Sequence, residues 1–167
     1  SPEKMEISAN TLALKIVPGE SDAIILSGSN RDKMNCYIED NCLYLEEKNH
    51  KPLQKSGEIV LTVPESMDWK KIEIDVEAAY VALQNFSAEE MEFSEDAGSI
   101  EASGLQMKKL ILSVEGGAIT LTDSEAAERA ANVEDVVPTE KELHKLAKTK
   151  ARKEKKAREA EQLHAAM

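Results

Sequence analysis

Three pairs of neighbouring acids, Glu39-Asp40, Glu89-Glu90 and Glu95-Asp96, come nearest to a catalytic set in this 167-residue chain. Two carboxylates cleave a glycosidic bond when they face each other across a cleft of roughly 5–10 Å. Neighbours on a strand point to opposite faces, so these pairs read as a solvated acidic surface. An enzyme acting on cell-wall glycans through Glu95 and Asp96 is the minority reading, and two facing carboxylates in a cleft would support it. The same oxygens suit Ca²⁺, which takes several oxygen ligands. The chain has neither a DxDxDG loop nor a GGxGxD nonapeptide, and Gly116-Gly117-Ala118 departs from the latter. The histidines His50, His144 and His164 belong to no GxSxG elbow and no HExxH pair. Cys36 and Cys42 are not spaced as CxxC and have no histidine close in sequence, which gives no metal motif and a weak case for a disulfide. The expectation is therefore no catalytic residue, no cofactor and no metal.

The other chemistry-bearing stretch is basic. Lys148, Lys150, Arg152, Lys153, Lys155, Lys156 and Arg158 crowd into one run, a candidate contact for a polyanion or a partner protein. The competing reading is a solvated helix face, which the i,i+4 pair Glu154 and Arg158 supports. Residues 141–158 hold 9 bases and 2 acids, whereas residues 1–124 hold 23 acids and 11 bases. An acidic body repels nucleic acid and anionic lipid, so only the basic segment is suited to a polyanion. Aromatics are 4% of the chain, too few for a base-stacking surface to be expected.

The elements that must carry these residues read as strands. Met5, Ile7 and Ala9 alternate with polar residues, as do Leu12, Leu14 and Ile16 before Pro18-Gly19, and Ile59, Leu61 and Val63 before Pro64. Period-two alternation buries one face and wets the other. Ala23–Leu26 is a short apolar run that closes at Gly28. Tyr37-Ile38 and Leu43-Tyr44-Leu45 flank Asp40-Asn41, a two-residue hairpin signal. That turn would set Glu39 opposite Cys42 and Cys36 opposite Leu45, which argues against a disulfide. Lys48–Gly57 is polar and reads as a loop.

From residue 70 the chain repeats. Ile74–Leu83, Phe93–Ala102 and Leu112–Leu121 follow one another at a constant period of 19. Ile72, Met91 and Leu110 align, as do Ile74, Phe93 and Leu112, then Val81, Ile100 and Ile119, then Leu83, Ala102 and Leu121. Phe86 matches Leu105, and Ala88 matches Met107. Small residues recur at the corner: Ala78-Ala79, Ala97-Gly98 and Gly116-Gly117. This period suits one coil of a β-solenoid, in which like residues stack over like. Glu95 breaks the pattern where the other repeats have Val76 and Val114, and a bulge near Glu95-Asp96 is the expected cause.

After Asp123 the composition favours helix: a short one over Ser124–Val137 capped by Asp123 or Ser124, then a longer one from the Thr139/Glu142 capping box to Met167. Its apolar stripe is thin, with Lys150 and Lys153 on heptad positions that a coiled coil keeps apolar. The expected fold is mainly β, a solenoid-like stack of period 19 over residues 1–123, with an α-helical, basic C-terminal tail over 124–167.

The opening Leu14-Lys15-Ile16-Val17-Pro18-Gly19-Glu20-Ser21-Asp22, the turn Asp40-Asn41-Cys42-Leu43, and the rungs Ile72–Ala79 and Ala97–Leu105 resemble a family of bacterial adhesin-like domains of unknown function. The resemblance covers roughly residues 5–123. It implies a right-handed or irregular β-solenoid held outside the membrane by an N-terminal anchor, with no catalytic residues. Some relatives in Lia-type envelope stress operons imply sensing or regulation. This chain departs from the family in its few rungs and in its basic tail, which could cap the open end of the solenoid.

The functional expectation is a non-catalytic binding or scaffolding module on the extracellular face of a bacterial membrane, contacting a protein or cell-surface partner through a rigid acidic surface. The first alternative is an envelope-stress component that docks a partner through its tail. The second is a cytoplasmic polyanion binder working through Lys148–Arg158. Association through the tail or the solenoid end would give an oligomer. No apolar run approaches the roughly 20 residues of a membrane helix, and the chain opens Ser1-Pro2-Glu3-Lys4 with neither Met nor signal peptide. Membrane attachment is expected only through an anchor absent from this sequence.

Overall fold

The computed structural model describes residues 1–48 and 57–133. Within them the strands run in chain order: β1 (Lys4–Ala9), β2 (Ala13–Gly19), β3 (Ile25–Gly28), β4 (Met34–Glu39), β5 (Cys42–Glu47), β6 (Glu58–Pro64), β7 (Trp69–Val76), β8 (Tyr80–Gln84), β9 (Ser87–Glu95), β10 (Ser99–Ser103), β11 (Gln106–Val114), β12 (Ala118–Thr122) and β13 (Glu125–Val133). They form two facing sheets. The first has the order β13-β11-β9-β7-β1-β5-β4 and the second β12-β10-β8-β2-β6-β3. All pairings among the described strands are parallel except β4 with β5 and β3 with β6, which close one end of the stack. The expected mainly β, stacked-rung architecture holds, with two strands per coil, one in each sheet.

The alignment at period 19 is the register of the sheets. Ile74 pairs with Phe93 and Phe93 with Leu112, while Val81 pairs with Ile100 and Ile100 with Ile119. These side chains point between the sheets and are essentially inaccessible. Burying each such side chain is worth roughly 1.5–3 kcal/mol, but no rung has an apolar partner of its own until another stacks on it. Corners are set in register as well. Asn85, Gly104 and Asp123 all take left-handed backbone, φ 63°, 65° and 50°, at the turn from the second sheet back to the first.

The stacking order differs from the chain order. Coil β1–β2 sits inside the stack, between β5–β6 and β7–β8. Met5, Ile7, Leu14 and Ile16 pair with Ile72, Ile74, Val81 and Leu83, always at the same sequence offset. The Asp40-Asn41 turn has φ 51° and 65°, the geometry of a tight two-residue hairpin. It sets Cys36 opposite Leu45 and Glu39 opposite Cys42, as expected, and both thiols are free.

Two expectations are corrected. Residues 125–133 form strand β13, not a helix, and pair with β11 from Gln106↔Glu125 to Val114↔Val133, which is the register of the preceding rungs carried one step further. Ala and Glu favour a helix weakly, while the open edge of β11 offers a full ladder of backbone partners, and tertiary context wins. Ser124 caps no helix: its hydroxyl accepts the Leu105 N–H at 3.1 Å and donates to the Thr122 carbonyl at 3.0 Å. The rungs therefore continue beyond Asp123. The helix expected after residue 133, the basic run within it, the three histidines and most of the Lys48–Gly57 loop lie outside the described residues.

The second correction concerns Glu95. No bulge forms there, since β9 keeps register across Val76↔Glu95↔Val114. The carboxylate points into the core and is 3% exposed. Its Oε1 accepts the N–H groups of Glu115 at 2.9 Å and Gly117 at 3.0 Å, so it caps the corner of the next rung.

Candidate binding face

The outward surface of the first sheet is built by the same register. Its middle column runs Tyr37, Tyr44, Glu6, Glu73, Glu92, Ile111 and Ala130 across the strands. On one side of it lie Glu39, Cys42, Lys4, Lys71, Glu90, Lys109 and Glu128, and on the other Asn35, Glu46, Ser8, Asp75, Ser94 and Ser113. Carboxylates thus far outnumber lysines on this face. The second sheet is different. Its outward positions are mostly Ala, Val, Ser and Thr, with Lys15, Glu58 and Glu101 as the charged residues on its strands.

Glu6, Glu73 and Glu92 stand on adjacent strands, about 4.8 Å apart along the hydrogen-bonding direction. Like charges directly opposite one another destabilise a sheet. Burial and then the Glu92 carboxylate raise the Glu73 pKa, against the pull of Lys71. Lys71 is the local counterion, with its Nζ 3.4 Å from Glu92, 3.5 Å from Glu90 and 3.7 Å from Glu73. Burial alone would lower its pKa, but the three carboxylates raise it. Next to this ladder Tyr37 and Tyr44 stack with centroids 4.9 Å apart and planes at 18°. The Tyr37 hydroxyl donates to Glu46 at 3.0 Å, and the Tyr44 pKa is pushed up to about 12, first through its hydrogen bond with Cys42. The result is a flat anionic strip ending in two neutral aromatic rings, fit to receive cationic side chains by charge and by cation–π contact.

The acid pairs weighed as catalytic candidates do not converge. Glu95 is buried and Asp96 is exposed in the following bend. Among the described residues no three His, Cys, Asp or Glu side chains group as metal ligands. An open groove of about 540 Å³ runs over the corners Ala78, Ala97 and Gly116, and its lining residues are alanine, glycine, serine and threonine apart from Leu12 and Tyr80. The Glu95 carboxylate lies beneath this groove. Burial raises its pKa more than its two backbone hydrogen bonds lower it, and Oε2 has no hydrogen-bond partner.

A folded pKa above the unfolded one means that Glu95 favours folding most when protonated. That increment is lost as pH rises through the folded value. Glu95→Gln keeps an acceptor for the two N–H groups and removes the charge. It is expected to be more stable than the parent by about 1 kcal/mol at pH 8 and level with it at pH 4. Denaturant unfolding at both pH values checks this, and an unchanged gap would disprove it.

Sequence reasoning did not single out Glu73 and Glu92, although the period of 19 already placed them side by side. The hairpin register already set Tyr37 opposite Tyr44, but the link from that pair through Glu6 to the repeat was missed, because it needs the pairing of β1 with β5 and β7.

No curated protein matches the chain in sequence. Among solved structures it is similar to a candidate cell adhesion protein of Clostridium sporogenes, with 12% identity over 80% of this chain and 93% of that one and a TM-score of 0.36. The model of the Toastrack DUF4097 family matches residues 3–135, which take in both sheets from β1 to β13. The adhesin-like resemblance and the stacked strands thus meet in one assignment: the chain belongs to the Toastrack DUF4097 family.

Proposed function

We propose that this domain is a non-catalytic binding or scaffolding module of the bacterial cell envelope, acting by contact through the acidic face of its first sheet. The observation that carries the reading is the Glu6–Glu73–Glu92 ladder running into the Tyr37–Tyr44 stack. Parallel pairing on both sides holds the three glutamates, and the hairpin of β4 with β5 holds the tyrosines, on a rigid surface, so little ordering entropy is lost when a partner binds. The fitting partner is a cationic protein segment or a positively charged envelope component. An extracellular site on an anchored protein suits such a face, since the anionic cytoplasmic leaflet would repel it.

The test is cosedimentation of the labelled chain with isolated bacterial cell envelopes. Binding is expected at low ionic strength, with steep loss by about 0.5 M salt. Glu6→Gln, Glu73→Gln and Glu92→Gln together should reduce it at least fivefold, while substitutions at Thr62 and Thr120 on the other sheet should leave it unchanged. A parent chain that stays in the supernatant, or a triple variant that pellets equally well, would overturn the proposal.

A further inference from the structure

The acidic face has a cationic candidate within its own chain. We propose that the basic segment 141–158 folds back on the face of the first sheet and occupies the Glu6–Glu73–Glu92 ladder of the same molecule. The inference rests on the reading of that face as a binding surface and names its first occupant.

Charge is the first argument. The segment carries 9 bases and 2 acids, against a body of 23 acids and 11 bases over residues 1–124. On the face itself the ladder has Lys71 as its close counterion, and the Glu73 and Glu92 side chains remain 38% exposed. Added ammonium or guanidinium groups would relieve repulsion that the register imposes on the ladder. At its end, Tyr37 is 39% exposed and stacked on Tyr44, so it presents a ring to a further cation. The outward surface of the second sheet offers no comparable anionic row among the described residues.

Reach is the second argument. Strand β13 ends at Val133, at the edge of this same sheet, with β11 between it and β9. Glu92, Glu73 and Glu6 therefore lie two to four strand spacings away, about 10–20 Å. The chain between Val133 and Lys148 spans up to about 50 Å when extended, or about 22 Å as a helix. Either conformation covers the distance. A tether this short gives an effective concentration in the millimolar range, so modest affinity is enough for occupancy.

The test uses the full chain and amide NMR spectra. Lys150→Glu, Arg152→Glu and Lys153→Glu together should shift the amide resonances of Glu6, Glu73 and Glu92 and leave those of Lys15, Ala82 and Thr120 in place. High salt should move the parent's ladder resonances in the same direction. Ladder resonances untouched by reversal would overturn the proposal. Reversal-sensitive shifts that disappear on dilution would overturn it too, in favour of a second copy. With its face vacated, the reversed chain should pellet more strongly with envelopes than the parent. If neither chain pellets while the NMR shifts stand, the envelope reading fails alone. If both pellet equally and the shifts are missing, the docking fails alone.

Discussion

Gly117→Val is expected to destabilise the domain by about 3 kcal/mol and to lower its unfolding midpoint by roughly 10 °C. A Cβ at this position would overlap the Gly98 carbonyl oxygen and lie 2.5 Å from Glu95 Oε2. Neither neighbour can give way cheaply. The Gly98 carbonyl receives the Ala118 N–H at 3.2 Å, and the Glu95 carboxylate is held by the amides of Glu115 and Gly117. The rung must lift off the one below, which breaks corner bonds and opens the core beneath Val114. Gly116→Ala is the control. Its column already carries Ala78 and Ala97, and a Cβ there meets the Asp96 carbonyl oxygen at 2.9 Å. That contact is a little too close, so the corner must shift by a few tenths of an ångström, and the cost should be about 1 kcal/mol, well below that of Gly117→Val. Thermal unfolding of the two variants beside the parent checks the contrast, and equal midpoints would show that the corner can yield.

The repeat was legible because a parallel stack writes its register into the sequence. When Ile74, Phe93 and Leu112 recur at one fixed period and each is buried, the only free choice left is where the coil bends. Glycine and alanine at one corner mark that place. The opposite corner was harder to read, since Asn85, Gly104 and Asp123 share a backbone conformation but no side-chain type. The insertion of β1–β2 into the middle of the stack was hidden for a different reason. Its apolar positions match those of β7–β8 without a gap, yet the two coils are far apart in sequence, and a β-hairpin and a loop lie between.

Strand β13 was misread on composition. Its inward positions Arg129 and Ala131 follow Leu110 and Leu112, so the apolar signal fades at the rung that ends the described stack. Arg129 and Ala131 are only partly buried there, where Leu110 and Leu112 one rung in are buried, so the strand holds its place by backbone pairing with β11 more than by apolar burial. The acidic face was half legible. Every carboxylate on it was visible as an acid and the period sets Glu73 beside Glu92, but Glu6 joins them only through the pairing of β1 with β7, which follows from the stacking order.

Glu47 and Glu95 show what the register adds. Glu46 pairs with Ser8, which puts Glu47 beside Ala9 in the same inward column as Val76, Glu95 and Val114. Each carboxylate reaches one rung forward to cap a corner. Glu95 takes the amides of Glu115 and Gly117, whereas Glu47 Oε1 takes those of Asn10, Thr11 and Leu12 at 2.7, 2.9 and 3.1 Å, and its Oε2 accepts the Thr11 hydroxyl at 2.8 Å. An acid in this column therefore marks a corner whose amides it holds. It does not mark a bulge.

The two acids should give opposite pH dependence. Burial would raise the Glu47 pKa, but the hydrogen bonds from Thr11, Asn10 and Leu12 outweigh it and lower the pKa. A folded value below the unfolded one means that its stabilisation is present above the unfolded pKa and is lost as pH falls through the folded one. Glu47→Ala removes the acceptor for three amides and a hydroxyl, and water can replace it at the exposed ones. The expected cost at pH 7 is about 2 kcal/mol. The difference from the parent should shrink steadily below the ordinary glutamate range, because there the parent's carboxyl takes up its proton and loses the same bonds. Glu47→Gln, which keeps one acceptor oxygen, should fall between the two. Denaturant unfolding from pH 3 to pH 8 reads all three curves. A Glu47→Ala deficit that stayed constant across that range would mean that the side chain acts by packing and not by charge. The corner beside Asn10 would then owe nothing to the ionised carboxylate.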